Sequence, residues 1–154
     1  MGRDKALLEL DGVTLVERIA GCVREAAGHV TLVGAPKRYS GLGYAVLPDL
    51  VEDVGPMGGI LTALRHSGSE WNLVVACDMP NVNSGFLRQL LDEALARNAG
   101  CLAPETSDGV HPLCAVYHRR VLPALQQAVD HKLLKMQDFL KSIDRKSTRL
   151  NSSH

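Results

Sequence analysis

Residues 72–80 read Asn-Leu-Val-Val-Ala-Cys-Asp-Met-Pro, an apolar run that ends in a carboxylate, a thioether and a proline. Five of the six residues before Asp78 are apolar and do not alternate with polar ones, the pattern of a strand buried on both faces of a parallel sheet. Pro80 cannot donate to a ladder and drives Met79 toward extended geometry, so the strand ends there with Asp78 at its carboxyl end. Ligands bind at that end in open α/β sheets, and one carboxylate there can hold magnesium while substrate phosphates fill other positions. A cap on the following turn or helix is the other role open to Asp78. Gly55-Pro-Met-Gly-Gly-Ile60 precedes a helical run to Gly68. Glycines ahead of a helix let backbone N–H groups approach an anion that the helix dipole favours, although plain Gly-Pro turn chemistry uses the same residues. Lys5, in a charged opening segment, is either a solvated surface cation or a point charge for a nucleotide phosphate.

The elements that must position these groups follow from periodicity. After the Asp11-Gly12 turn, Leu15, Ile19 and Val23 recur every fourth residue, and Thr14 with Glu17 forms a capping box for a helix ending near Gly28. Residues 29–34 and 44–47 read as strands on either side of a glycine-rich loop, and Asp49 follows Pro48 just past the second. Strands and helices in alternation predict right-handed βαβ units and a parallel sheet covered on both faces. Beyond the central strand, Ser84 is placed as the cap of a helix whose stripe is Phe86, Leu87, Leu90, Leu91 and Leu95, a core-facing pattern. Residues 99–104 and 111–117 flank the Asp108-Gly109 turn and predict antiparallel neighbours, with His111 a turn or packing residue rather than a base. Two further helices follow, the first with Pro123 in its opening turn, the second carrying Leu133, Met136, Leu140 and Ile143. From Asp144 periodicity stops and Leu150 is the only large apolar residue, so residues 144–154 read as a disordered tail of foreign appearance after a domain of residues 1–143.

At 154 residues the chain is one domain by length. Lysine plus arginine and aspartate plus glutamate balance at 17 each, which gives no field to recruit nucleic acid or an anionic membrane. No apolar stretch reaches a membrane span and none reads as a signal peptide, so a soluble cytoplasmic protein is expected. Cys22, Cys77, Cys101 and Cys114 are scattered without zinc-site spacing and read as reduced core residues.

Met-Gly-Arg-Asp-Lys-Ala-Leu-Leu, Gly-Pro-Met-Gly-Gly-Ile, Ala-Cys-Asp-Met-Pro and His-Pro-Leu-Cys-Ala-Val-Tyr occur in this order and at suitable separations over residues 1–143. Together they resemble the molybdenum cofactor guanylyltransferase family, the MobA-like nucleotidyltransferases. The resemblance implies an α/β, doubly wound, Rossmann-like and mostly parallel sheet with helices on both faces. It implies transfer of GMP from GTP to molybdopterin carrying molybdenum, releasing pyrophosphate by in-line displacement at the α-phosphorus. Lys5 matches the phosphate-binding lysine, Asp78 the magnesium ligand, Asp49 an acid that helps hold the nucleotide, and Gly34 a residue lining the nucleotide site. The family often carries asparagine at the Gly34 position, so a side-chain contact there is absent. Gly55, Pro56, Gly58 and Gly59 belong to the loop on the guanine side. GTP, the molybdenum cofactor and molybdoenzyme chaperones are the implied partners, and Mg2+ the implied cofactor.

Two departures qualify the resemblance. Family members open with a strand and a Leu-Ala-Gly-Gly-x-Ser-x-Arg loop around the triphosphate, and they close with an Asn-x-Asn-Thr-Pro-Glu-Glu-Leu-like segment. Neither is present, so the expectation is a fragment truncated at both ends, its first central strand missing and the edges near residues 29–33 and 73–77 unpaired. Two other functions stay open. One is a sibling nucleotidyltransferase using CTP on molybdopterin or acting on a sugar or isoprenoid phosphate. The other is a non-catalytic nucleotide-binding fragment.

Overall fold

The computed structural model describes residues 5–51, 54–79 and 81–149. A 3-10 turn (Lys5–Leu7) leads into a short hairpin of β1 (Glu9–Leu10) and β2 (Val13–Thr14). Thr14 then caps α1 (Leu15–Ala27) through the expected box: Glu17 N–H donates to Thr14 Oγ1 at 3.2 Å and Thr14 N–H to Glu17 Oε1 at 3.3 Å. Gly28, at φ 94°, ends the helix in the left-handed conformation that a side chain resists. β3 (Thr31–Val33), α2 (Pro36–Tyr39) and β4 (Ala45–Leu47) follow, and β3 pairs with β4 in parallel from Thr31↔Ala45 to Val33↔Leu47.

The chain then passes through α3 (Pro56–His66) to β5 (Trp71–Val75) and α4 (Ser84–Arg97). The cap of α4 is Asn83, one residue earlier than expected, because its Oδ1 accepts the Phe86 N–H at 2.8 Å. β6 (Cys101–Thr106), β7 (Gly109–Val110) and β8 (Cys114–His118) build an antiparallel meander, and β8 pairs with β5, Trp71 opposite His118 and Val75 opposite Cys114. After α5 (Leu122–Asp130) and α6 (Met136–Ser142), β9 (Arg145–Arg149) adds to β6 in parallel. The larger sheet therefore runs β5-β8-β6-β7 with β9 on the free side of β6, beside the separate β3-β4 pair.

The expected α/β sheet with helices on both faces is present, with mixed pairing. Alternate residues of the middle strands feed two cores, as a period of two requires. Cys101, Ala103, Ala115 and Tyr117 pack with α3, α5 and α6. Leu102, Cys114 and Val116 pack on the opposite face with α1 and α4. Burying a leucine such as Leu87, Leu102 or Leu125, each 0% exposed, stabilises the fold by about 1.5–3 kcal/mol. Tyr117 is buried whole and its hydroxyl donates to Pro112 O at 2.6 Å, which ties β8 to the turn before it.

The tail requires a correction. Residues 144–154 read as disordered, yet residues 145–149 form β9, from Cys101↔Arg145 to Glu105↔Arg149. Backbone pairing at a sheet edge needs no apolar side chain, and polar contacts reinforce it: Ser147 Oγ donates to Glu105 Oε2 at 3.2 Å, and Arg97 Nη1 to Ser147 O at 3.0 Å. Residues 150–154 lie outside the described residues. Among the described residues no helix is long and apolar enough to cross a membrane.

Candidate functional site

The parallel ladder of β3 and β4 extends one step beyond the strands, where Gly34 N–H donates to Leu47 O at 2.8 Å. Gly34 and the Pro48-Asp49 exit thus leave the sheet together at its carboxyl edge, the edge on which open α/β sheets bind ligands. A Cβ built on Gly34 would stand 2.9 Å from Tyr39 Cε2, so the tyrosine ring of α2 fills the space that a side chain at position 34 would need.

The glycine loop has a separate reason for each glycine that matters. Gly55 precedes α3 at φ 64° and ψ −152°, a region open only to glycine, and Pro56 presets the first helical turn. A Cβ on the buried Gly58 would lie 2.8 Å from both Val51 O and Val54 Cγ2, so the loop crosses the helix too closely for any side chain. Gly59 faces Asp49, whose Oδ1 is 3.9 Å from where its Cβ would be. The Asp49 carboxylate therefore sits over the first turn of α3, where the helix dipole favours negative charge.

Thr62 holds this arrangement and escaped the sequence reading. It is 2% exposed, and its hydroxyl accepts the Leu50 N–H at 2.9 Å while donating to Gly58 O at 2.9 Å. One buried side chain thus joins the Asp49-Leu50 exit to the glycine turn. A polar β-branched residue four positions after Gly58, on the buried face of the helix, was the clue available.

Asp78 is exposed in the turn that follows β5, just beyond Ala76, whose N–H donates to Leu113 O at 2.7 Å. Gly34 leaves β3 beside the end of β4, Asp49 follows β4 and approaches Gly59 of α3, and Asp78 stands in the turn after β5. The Lys5 side chain lies outside the described residues; its backbone opens the first 3-10 turn. Among the described residues no three His, Cys, Asp or Glu side chains cluster as a closed metal cage.

A Rossmann-like sheet whose strand ends present carboxylates and a glycine-rich helix start is the architecture of nucleotidyltransferases. The MobA-like NTP transferase domain matches residues 1–148, and the chain belongs to that family. A probable molybdenum cofactor guanylyltransferase of Flavobacterium johnsoniae is 32% identical over 99% of this chain and 80% of its own length. Among solved structures, molybdopterin-guanine dinucleotide biosynthesis protein A from Archaeoglobus fulgidus is 28% identical with a TM-score of 0.80, over 96% of this chain and 76% of that one. A Mycobacterium tuberculosis protein solved in complex with manganese shares the fold, with a TM-score of 0.64 at 21% identity, over 95% of this chain and 80% of that one.

Proposed function

We propose that the chain transfers GMP from GTP to molybdopterin carrying molybdenum. A terminal phosphate oxygen of the acceptor forms a bond to the α-phosphorus, the bond to the bridging β-phosphate oxygen breaks, and pyrophosphate leaves with that electron pair. The observation that carries the choice of base is the Asp49 carboxylate over the Gly59 turn. A carboxylate only accepts hydrogen bonds, so it suits the adjacent N1–H and N2 amine donors of guanine and repels phosphate. Cytosine offers a single amine on its pairing edge beside two acceptors, a poorer match to an acid. Gly34, Pro56 and Gly58 shape the wall against which the base lies, and Lys5 supplies a compact positive charge for the phosphates.

Magnesium fits the donor set. Asp78 is a hard oxygen donor, and magnesium is commonly held by one or two carboxylates while waters and substrate phosphates supply its other ligands. Asp78 would hold it, and the bound ion would neutralise charge on the phosphates during displacement. The remaining work is positioning: the strand end fixes Asp78, and the Thr62 clamp fixes Asp49 against the base. Reduced thiols and balanced charge support the cytoplasm as its compartment.

Pyrophosphate release with molybdopterin and either GTP or CTP tests the reading. Turnover with GTP well above CTP is expected, and equal turnover removes the guanylyl assignment. In the form of the enzyme that turns over, Asp78→Asn should reduce the rate by orders of magnitude with the thermal transition unchanged. A near-normal rate would return Asp78 to a capping role.

A further inference from the structure

A second cavity, of about 310 Å³, opens beside Asp78 between the first turns of α4 and the β6-β7 hairpin. Met79, the residue after Asp78, forms part of its wall, with Phe86, Pro104 and Cys114 supplying the other apolar surfaces. Its polar groups are amides, a hydroxyl and an imidazole. Asn81 and Gln89 line it, and Thr106 Oγ1 lies 2.8 Å from His111 Nε2. That pair is held firmly, because Asp108 N–H donates to Thr106 Oγ1 at 3.2 Å and His111 N–H to Pro104 O at 3.0 Å. Among the described residues that line the space there is no lysine, arginine, aspartate or glutamate.

We propose that this cavity receives the pterin end of the acceptor, an inference that rests on the guanylyl transfer reading and deepens it. Walls without a formal cation are poorly matched to a phosphate, whereas a neutral fused heterocycle suits them on both counts. Its flat faces pack on Phe86 and Met79, and its edge of ring nitrogens, amine and carbonyl meets the amides and the Thr106-His111 pair. The volume is at the small end of the range for small-molecule sites, which suits a bicycle and not a whole dinucleotide. Guanine, the other fused heterocycle of the reaction, is drawn instead to Asp49, and the second cavity has no acid to accept its paired donors. Through Met79 the cavity adjoins Asp78, so an acceptor seated by its pterin keeps its phosphate end free for the transfer.

The test titrates the 154-residue chain with 6-hydroxymethylpterin, followed by its fluorescence, and separately with GTP by calorimetry. Saturable pterin binding is expected, weakened about fivefold by Gln89→Ala and by His111→Phe, as the loss of one neutral hydrogen bond predicts, with GTP affinity unchanged. The Met79 methyl resonance should shift with pterin and hold still with GTP, a readout that needs no variant. Pterin binding together with loss of GTP binding supports the pocket and counts against the guanylyl reading. The proposal is overturned by absent pterin binding, by equal affinity in both variants, or by displacement of pterin by GTP one for one.

Discussion

Thr62 carries more of the candidate site than its position in the middle of α3 suggests, because its single hydroxyl serves both the Leu50 N–H and the Gly58 carbonyl. Thr62→Val keeps the shape and removes both bonds, leaving a donor without a partner. It should cost about 1–3 kcal/mol of stability and loosen Asp49 over the glycine turn. Thr62→Ser should restore both properties; melting curves beside GTP titrations of the two variants check this, and undiminished GTP binding in the valine variant would remove Thr62 from the site. The cysteines divide by the same logic of environment. Burial pushes the Cys101 thiol up to about 12 and the Cys114 thiol to about 11, while Cys22 and Cys77 are half-buried. Since the thiolate is the nucleophile, iodoacetamide at pH 8 should modify Cys22 and Cys77 and spare Cys101 and Cys114 until denaturant is added. Mass spectrometry of the labelled chain reads the result, and early labelling of Cys101 would contradict the packing of β6.

The elements that were legible in the sequence are those whose side chains announce them. The capping box of Thr14 and Glu17, the αL glycine at position 28 and the proline of α5 each leave a chemical mark, and each stands where it was read. Asp78 beyond an apolar strand and Gly55 ahead of a helix were legible for the same reason, but the helix begins at Pro56, so Gly58 and Gly59, read as preceding it, stand within its first turns because Pro56 presets helical geometry. What escaped depends on contacts between distant parts of the chain. The pairing of β5 with β8 joins residues 39 to 47 positions apart, and the Thr62 clamp exists only once α3 folds back on the loop. β9 escaped because its hold on β6 lies in the backbone and in one polar node: Arg120 Nη2 reaches Asp144 Oδ2 at 3.0 Å and Asn98 O at 2.6 Å, and Lys146 adds its charge. The hydrogen bond from Arg120 first, with the Gly100 N–H and Lys146 beside it, holds the Asp144 carboxyl below its ordinary value of 3.8. A depressed folded-state value means a contribution fully present above the ordinary carboxylate range and lost as pH falls through the folded value. Acidification below 3.8 should therefore free residues 145–149 before the meander opens. Amide exchange of β9 relative to β8 follows this, and Arg120→Ala should abolish the difference between neutral and acid pH.

At the scale of the molecule, a cleft opens between the two sheets. It holds about 600 Å³, with Val30, Thr31 and Val33 on one side and Asn72, Leu73 and Val74 on the other. Among the described residues β3 pairs only with β4, and β5 only with β8, so each strand turns an unbonded edge toward the other. Ala26 of α1 and Leu91 of α4 line one face, and Ala63 of α3 the opposite face, so helices cover this slot between the strands. Unpaired backbone groups on β-branched sequence invite a strand from another molecule, and each buried donor left without a bond costs about 1–3 kcal/mol. An apolar strand laid in the slot completes both ladders and joins β3-β4 to the larger sheet, bringing the side of the site that holds Asp49 into fixed relation with Asp78. Residues 1–154 should therefore associate through these edges. The same residues with a β-forming peptide supplied to fill the slot should be monomeric. Light scattering on a sizing column measures both arms, and a monomeric, cooperatively melting 154-residue chain without the peptide would show that the slot needs no strand.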